Sequence, residues 1–588
     1  MLYYPDGKYR EQRSVGSSDA PPPKYRKEIR ALNMIYEEKT PKWHVAALFL
    51  VTAMLLCYPL WQLGDRELYW SESSYAAMAM ETDYLAPSGQ AHGEIIPLAF
   101  PLLPVVAAVL HNELGVPMEL ALRIPSVVAL FLLALLVWMS ARHAAGTGTA
   151  AIAVAILVSS NIVLEKAVDG YPDMLGVLFL FAGWMFWFRI GAVRGDWDLA
   201  WVVSLGCCGL AFYTIGWAGL FFFFVPLIFM RRPLTLWQKL WRPGFYIGLG
   251  LVLLFICWWA LPRITAGHMP FRSFPLRTNH VGSYLEHLFY FPFDVMVRFL
   301  PWTVFMWAPF CVALQPLDKN PIFARFLRTI AISLFVLIWF SPFTEPRDIV
   351  LLGPPLAILT GSYYPIVVRR YGYNLSKVLR YFIYVTIPGG LFLVVFYLAP
   401  TSWWEPLVDL GRSSSFHDNP KYIILGLVYG IIMIATGIIL MFAPKRALPI
   451  WIVITMLIGV CVLFFWAIPH PYKAQENQKR EMAEEMYKAI TRYGSMPACI
   501  YKGPQDLGLY GECYYLGGKF RRISALSELP KDDDVVFLLS SEPPLDPSRS
   551  RTWTNIVDDS RRFRNEKLYL WRGVKSNLKT GVGDGGKH

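Results

Sequence analysis

The sequence predicts a polytopic α-helical membrane protein of about thirteen spans, carrying a small α/β domain at its C-terminus. Hydrophobic residues make up 55% of the 588 positions and charged residues only 17%, against about 25% charged in soluble domains. The mean hydropathy is +0.38. The apolar residues gather in blocks of roughly 16–22, the length that crosses a ~30 Å hydrocarbon layer at ~1.5 Å per residue. The 22 Trp and 31 Tyr suit helix ends anchored at membrane–water boundaries.

Residues 1–44 read as a basic cytoplasmic tail. Its polar composition and the Pro21-Pro22-Pro23 run are unlike a signal peptide, and residues 1–30 have the composition of a disordered segment. Apolar blocks then place spans near 45–63, 124–140, 150–165, 174–188, 199–214, 217–230, 245–261, 299–315, 329–343, 349–366, 381–399, 422–442 and 448–468. A further block at 98–114 holds Pro101 and Pro104 and ends in His111, Asn112 and Glu113. As a full span it would turn Arg231, Arg325, Arg328, Arg369, Arg370, Lys445 and Arg446 outward, against the excess of basic residues in cytoplasmic loops. It therefore reads as an interfacial or re-entrant helix. The membrane domain then covers 45–470, with a large exported loop at 64–123, and the odd span count exports 471–588.

The tail has a charged helical stretch at 474–493 and strand-like runs at 497–502, 534–539 and 567–571. Cys57, Cys207, Cys208, Cys257, Cys311 and Cys461 lie in or beside spans as apolar fillers. Cys499 and Cys513 both fall in the tail, with Gly503, Pro504, Gly508 and Gly511 between them. No zinc-type spacing is present, so a disulfide is expected there.

The formal charge of +12 does not indicate a nucleic-acid partner, because the basic residues are spread through short loops rather than forming one patch. No Gly-rich phosphate cradle, HExxH or GxSxG motif occurs, and charges deep in the spans are scarce. Polar chemistry gathers instead in three exported loops. The first carries Asp65, Glu67, Glu72, Glu81, Asp83 and Glu94, with Ser71 as a helix N-cap and Glu72 in the first turn. Glu72 reads either as a helix-dipole carboxylate or as an acid preorganised at the membrane surface. In the second loop, Asp169-Gly170-Tyr171-Pro172-Asp173, Asp173 either caps the next span or orients a partner at its mouth. The third, 262–298, sets Arg263, His268, Arg272, Arg277, His280, His287 and Arg298 among aromatics. It suits a lipid-borne phosphate or anionic headgroups.

At these residues the chain resembles the GT-C lipid-linked-sugar glycosyltransferases, in particular the bacterial aminoarabinose (lipid A) transferases and the mannosyltransferase-like proteins related to them. The resemblance spans roughly 45–470 and rests on Ser71-Glu72-Ser73-Ser74-Tyr75-Ala76, Glu94-Ile95-Ile96-Pro97-Leu98, Leu122-Arg123-Ile124-Pro125-Ser126, Tyr171-Pro172-Asp173-Met174 and Tyr213-Thr214-Ile215-Gly216-Trp217. Pro346-Arg347, followed by Gly353-Pro354-Pro355-Leu356-Ala357, completes it.

The resemblance implies transfer of a sugar, with inversion, from a polyprenyl-phosphate donor to an exported acceptor such as lipid A, another envelope glycan or a protein, in the bacterial inner membrane. It implies Glu72, Asp65 and Asp173 as catalytic carboxylates, and Glu94, Tyr75, Arg123, Arg347, Arg272 and His280 as substrate-binding residues. It points to no definite cofactor and leaves a divalent metal open. The sequence departs from the family at Ser71, where the family has its leading aspartate, and at Ile95 and Ile215, where it has phosphate-binding lysines. Three accounts stay open: a different sugar or acceptor served by other residues, a local misalignment, or a non-catalytic relative that binds or transports a lipid-linked glycan.

Overall fold

The computed structural model describes residues 100–231, 233–265, 281–341, 346–381, 383–400, 420–442, 498–501, 510–516, 520–523, 525–530, 533–540, 551–563 and 566–575, with shorter stretches inside 52–96 and 483–490. The tail 1–44, the span expected at 448–468, nearly all of the one at 45–63, and Asp65, Arg272 and His280 lie outside the described residues.

Helix α1 (Glu72–Glu81) is followed by a two-residue hairpin, β1 (Gln90–Ala91) and β2 (Glu94–Ile95), and by α2 (Leu102–Asn112). The eleven residues of α2 rise only about 16 Å, too short to cross a bilayer, as the interfacial reading of 98–114 requires. Helix α3 (Met118–Ala145) runs 28 residues through Pro125 and stops at Gly146, whose φ of 94° favours glycine. The block at 150–165 is broken rather than straight. Helix α4 (Thr147–Ser159) meets α5 (Asn161–Ala167) at 66°. At the break Ser160 is extended, its hydroxyl donates back to the Ile156 carbonyl at 2.6 Å, and Trp302 Nε1 donates to Ser159 Oγ at 2.7 Å. Serines that bond the preceding turn compete with the helix ladder and bend it.

Helix α6 (Asp173–Phe186) runs on into a π-helical turn, Trp187–Val193. The next helix, α7 (Trp197–Ile215), starts at Asp196, whose carboxylate accepts from Leu199 N–H at 3.0 Å, and ends at Gly216 with φ 72°. Beyond it lie α8 (Trp217–Ile228), α9 (Pro243–Thr265) and α10 (Val281–Arg298). Residues 281–298, read from the sequence as loop, are thus helical. The span expected at 299–315 is replaced by a turn of 109° between Tyr284–Arg298 and Thr303–Phe310, which includes α11 (Thr303–Met306). Periodicity within one apolar run cannot locate such a bend.

The helical part continues with α12 (Pro321–Phe340), capped by Asn320 on Phe323 N–H at 3.2 Å. After it come α13 (Gly353–Tyr381), α14 (Ile383–Leu398) and α15 (Pro420–Phe442). Among the described residues six helices are long and apolar enough to cross a membrane, and up to eight if each bent pair is one span. Trp184, Trp187, Trp201 and Trp302 lie fully buried between them.

The C-terminal part is a five-stranded mixed sheet in the order β4-β3-β5-β7-β6, built from β3 (Ala498–Tyr501), β4 (Phe520–Ile523), β5 (Val535–Ser540), β6 (Arg551–Phe563) and β7 (Glu566–Lys575). Strand β3 runs parallel to β4 and β5, and helix α16 (Tyr510–Tyr515) lies between β3 and β4 in the chain. Strands β4 and β6 escaped the sequence reading because their charged, polar residues lack apolar alternation. Pairing with β3 and β7 makes them strands.

The expected Cys499–Cys513 disulfide is corrected: both cysteines are buried as thiols and are not bridged to each other. Cys499 packs with Ile523, Val536 and Leu538. Cys513 packs with Ala483, Met486, Phe537 and Leu539. Alternate residues of β5 point to opposite faces of the sheet, so the two thiols belong to different cores with the sheet between them. Burial pushes the Cys499 thiol pKa up, with Arg521 and Arg551 acting against it.

Candidate active site

Charged groups meet at one end of the bundle, where the loop ahead of α1, the start of α3, the α5–α6 turn and the turn ahead of α13 come together. Two clusters form there, and they differ in character.

The first is closed. Arg123, one turn into α3, is 1% exposed, and Glu72, at the start of α1, is 0% exposed. Arg123 Nη2 donates to Glu72 Oε2 at 2.8 Å and to the Glu67 carbonyl at 2.8 Å, while Nη1 donates to the Leu63 carbonyl at 2.6 Å. The other carboxylate oxygen of Glu72 accepts from Gly170 N–H at 2.6 Å. A Cβ on Gly170 would lie 3.1 Å from Leu122 Cβ and 3.4 Å from Glu72 Cγ, so the close approach favours glycine here. The sequence reading makes Glu72 a proton acceptor and Arg123 a phosphate ligand. In the structure each oxygen of Glu72 has a fixed donor, and neither group meets solvent. Removing one partner of such a pair strands the other charge.

The second cluster is more open. Asp173 begins α6, where the helix dipole favours a carboxylate. It is 9% exposed, and its Oδ1 lies 3.8 Å from Arg347 Nε. Lys166, in the last turn of α5, pairs with Asp169 at 3.2 Å and with Glu165 at 3.6 Å. Arg298 reaches Glu165 at 3.6 Å and binds Asp294 at 2.8 Å. The ammonium of Lys166 also lies 5.6 Å from the centre of the Tyr171 ring, which meets Tyr75 edge-on at 6.3 Å. The two clusters share one short segment, since Gly170 is gripped by Glu72 and Asp173 follows three residues on.

Of the residues named from the sequence, Asp173, Arg347 and Tyr75 come to this open cluster, and Glu72 and Arg123 form the closed one. Glu94 pairs with Ala91 in the hairpin. Ile215 packs on Gly176, where an added Cβ would lie 2.7 Å from Ile215 Cγ2. Ile215 therefore fills space one turn below Asp173. The sequence reading did not single out Lys166, Glu165 or the gripping role of Gly170. The signal was present in Glu165-Lys166 and Asp169, three charges closing an apolar block where a plain span end needs none. Among the described residues, no group of three or more His, Cys, Asp or Glu side chains is arranged to hold a metal ion.

No family model matches the sequence, and no curated protein matches it. Solved structures do match. The crystal structure of ArnT from Cupriavidus metallidurans bound to undecaprenyl phosphate is similar, with a TM-score of 0.65 at 17% identity over 90% of this chain and 98% of that one. The apo state of the same protein gives 0.64 at 17% identity, covering 89% and 97%. The likeness extends over the bundle and into the C-terminal sheet. In fold, the chain is similar to ArnT, a bundle of apolar helices long enough to cross a membrane with a small sheet at its C-terminal end.

Proposed function

We propose that the protein transfers a sugar from a polyprenyl-phosphate donor to a hydroxyl acceptor at the outer face of the inner membrane. One observation carries this reading beyond the fold: Asp173 stands at a helix start, 3.8 Å from Arg347, in a cluster of charges at one end of the bundle. A lipid-linked donor keeps its phosphate and sugar at such a boundary while its chain stays among lipid tails.

The acceptor oxygen bonds to the anomeric carbon on the side opposite the phosphate. The bond from that carbon to the phosphate oxygen breaks, and its electron pair leaves on polyprenyl phosphate, inverting the centre. The acceptor proton passes to Asp173, a step of general base catalysis. Arg347 and Lys166 meet the charge that develops on the leaving phosphate. They take the place of the lysines missing at Ile95 and Ile215. ArnT bound to undecaprenyl phosphate supports the donor class. The sugar and the acceptor, whether lipid A, another envelope glycan or a protein, follow from experiment.

The test is the mass increment on envelope lipid, glycan or protein that disappears when the gene is deleted. Wild type restores it and Asp173→Asn does not. Restoration by Asp173→Asn overturns the assignment of the base. Tight donor binding with no increment in any strain replaces the enzyme by a carrier of lipid-linked glycan.

A further inference from the structure

A hydroxyl of the C-terminal domain bonds the loop that leads to the site. Tyr515, the last residue of α16, accepts from Leu68 N–H at 3.0 Å and lies 3.2 Å from Glu119 Oε1, to which its own proton can go. These contacts join positions 447 and 396 residues apart in the chain. The Leu68 N–H and the Glu67 carbonyl belong to one peptide unit, which is a rigid plane with its donor and acceptor on opposite edges. Tyr515 holds the donor edge and Arg123 the acceptor edge, at 2.8 Å. From Arg123 the bonding runs to Glu72 and then to Gly170 N–H, three residues ahead of Asp173. Leu68, Glu67, Arg123 and Glu72 are all less than a tenth exposed, so each bond is made away from water, where losing a partner is costly.

Two further contacts seat the same domain on the same loop. Arg522 N–H donates to the His92 carbonyl at 3.2 Å, and the His92 and Tyr510 rings stack at 5.4 Å. His92 N–H in turn donates to Glu81 at the end of α1, at 2.7 Å. Helix α1 is thus held from the C-terminal domain at both ends.

We infer that Tyr515 is a positioning residue: through the Glu67–Leu68 peptide, Arg123 and Glu72, the C-terminal domain sets the backbone of 169–173 and hence the aim of Asp173. The domain is part of the site's scaffold, and the chain needs it docked to present that carboxylate. The functional half of this inference rests on the transferase reading above. The structural half does not.

Both ends of the relay are backbone amides, so hydrogen exchange reads them directly. In the full chain in lipid nanodiscs, Tyr515→Phe removes only the hydroxyl. It is expected to raise exchange about ten-fold at Leu68 and at Gly170, while β5 and β7 exchange as in wild type. Glu119→Gln, which still accepts from Tyr515, keeps the wild-type pattern. Unchanged exchange at Gly170 in Tyr515→Phe overturns the relay. So does a rise that includes β5 and β7, because the substitution then loosens the domain itself. In the transfer assay, Tyr515→Phe lowers kcat about ten-fold with KM held within about two-fold. The reverse split, KM raised with kcat kept, assigns Tyr515 to substrate instead and overturns the positioning role. An inactive wild type with faster exchange at Gly170 in the variant would sink the transferase reading and leave the relay standing.

Discussion

The closed Glu72–Arg123 cluster and the open Asp173–Arg347 cluster contain the same chemical groups, a carboxylate and a guanidinium, yet they differ in spacing and in how far the arginine is enclosed. In the closed pair the partners are 2.8 Å apart and 1% and 0% exposed. Every oxygen of the carboxylate is already committed. In the open pair the separation is 3.8 Å, and the arginine side chain is 34% exposed. A tightly bonded buried pair loses much if disturbed and gains nothing from a substrate. A more widely spaced pair whose arginine is partly exposed can turn toward a phosphate or an acceptor hydroxyl at smaller cost. Spacing and the arginine's exposure, more than residue type, distinguish the two pairs.

The sharpest way to break this contrast is to remove one member of each pair. Arg123→Met leaves Glu72 as a buried, unpaired charge and is expected to cost about 3–5 kcal/mol. It should be visible as loss of monodisperse protein after detergent extraction, whatever happens to turnover. A well-folded Arg123→Met protein would show that the closed pair does not hold the loop. Asp173→Asn is expected to do the opposite, with yield and thermal midpoint near wild type and transfer down about 10²–10⁴-fold. Loss of folded protein there would place Asp173 with the scaffold.

Two smaller effects sharpen the comparison. Gly170→Ala puts a methyl against Leu122 and Glu72, at a cost of about 1–3 kcal/mol for overpacking. It should lower the thermal midpoint and kcat together, because the same segment bears Asp173. A midpoint shift with unchanged kcat would uncouple the two clusters. The least perturbing test concerns the C-terminal domain. Thermal unfolding should give the same midpoint with and without reductant, and denatured protein prepared without reductant should take up alkylating reagent at both Cys499 and Cys513. A midpoint that falls on reduction would restore the disulfide and require the sheet to be rearranged.

Particular elements show how far the sequence reaches. The apolar blocks at 124–140, 174–188, 199–214 and 245–261 become α3, α6, α7 and α9 because length and composition decide what can lie in lipid. The short Leu102–Asn112 helix follows from its prolines and polar end. Strands β3, β5 and β7 follow from apolar runs. The motif around Tyr171-Pro172-Asp173 located the open cluster's carboxylate, and the basic residue at 347 located its partner. Each of these properties is local to a few residues or to one window.

Only the tertiary structure decided the rest. The bends at 66° and 109° leave no mark in the apolar periodicity, and only the fold brings Trp302 onto Ser159 at the first of them. The separation of Cys499 from Cys513 depends on which side of a sheet each residue faces, and chain spacing carries no record of that. The roles of Glu72 and Asp173 were interchangeable as sequence, two carboxylates at helix starts in exported loops. They diverged when folding brought Arg123 and the Gly170 amide to one and set the other 3.8 Å from a partly exposed Arg347. Whether a charge is solvated or enclosed is set by everything packed around it, and that is a property of the folded molecule rather than of any window of its chain.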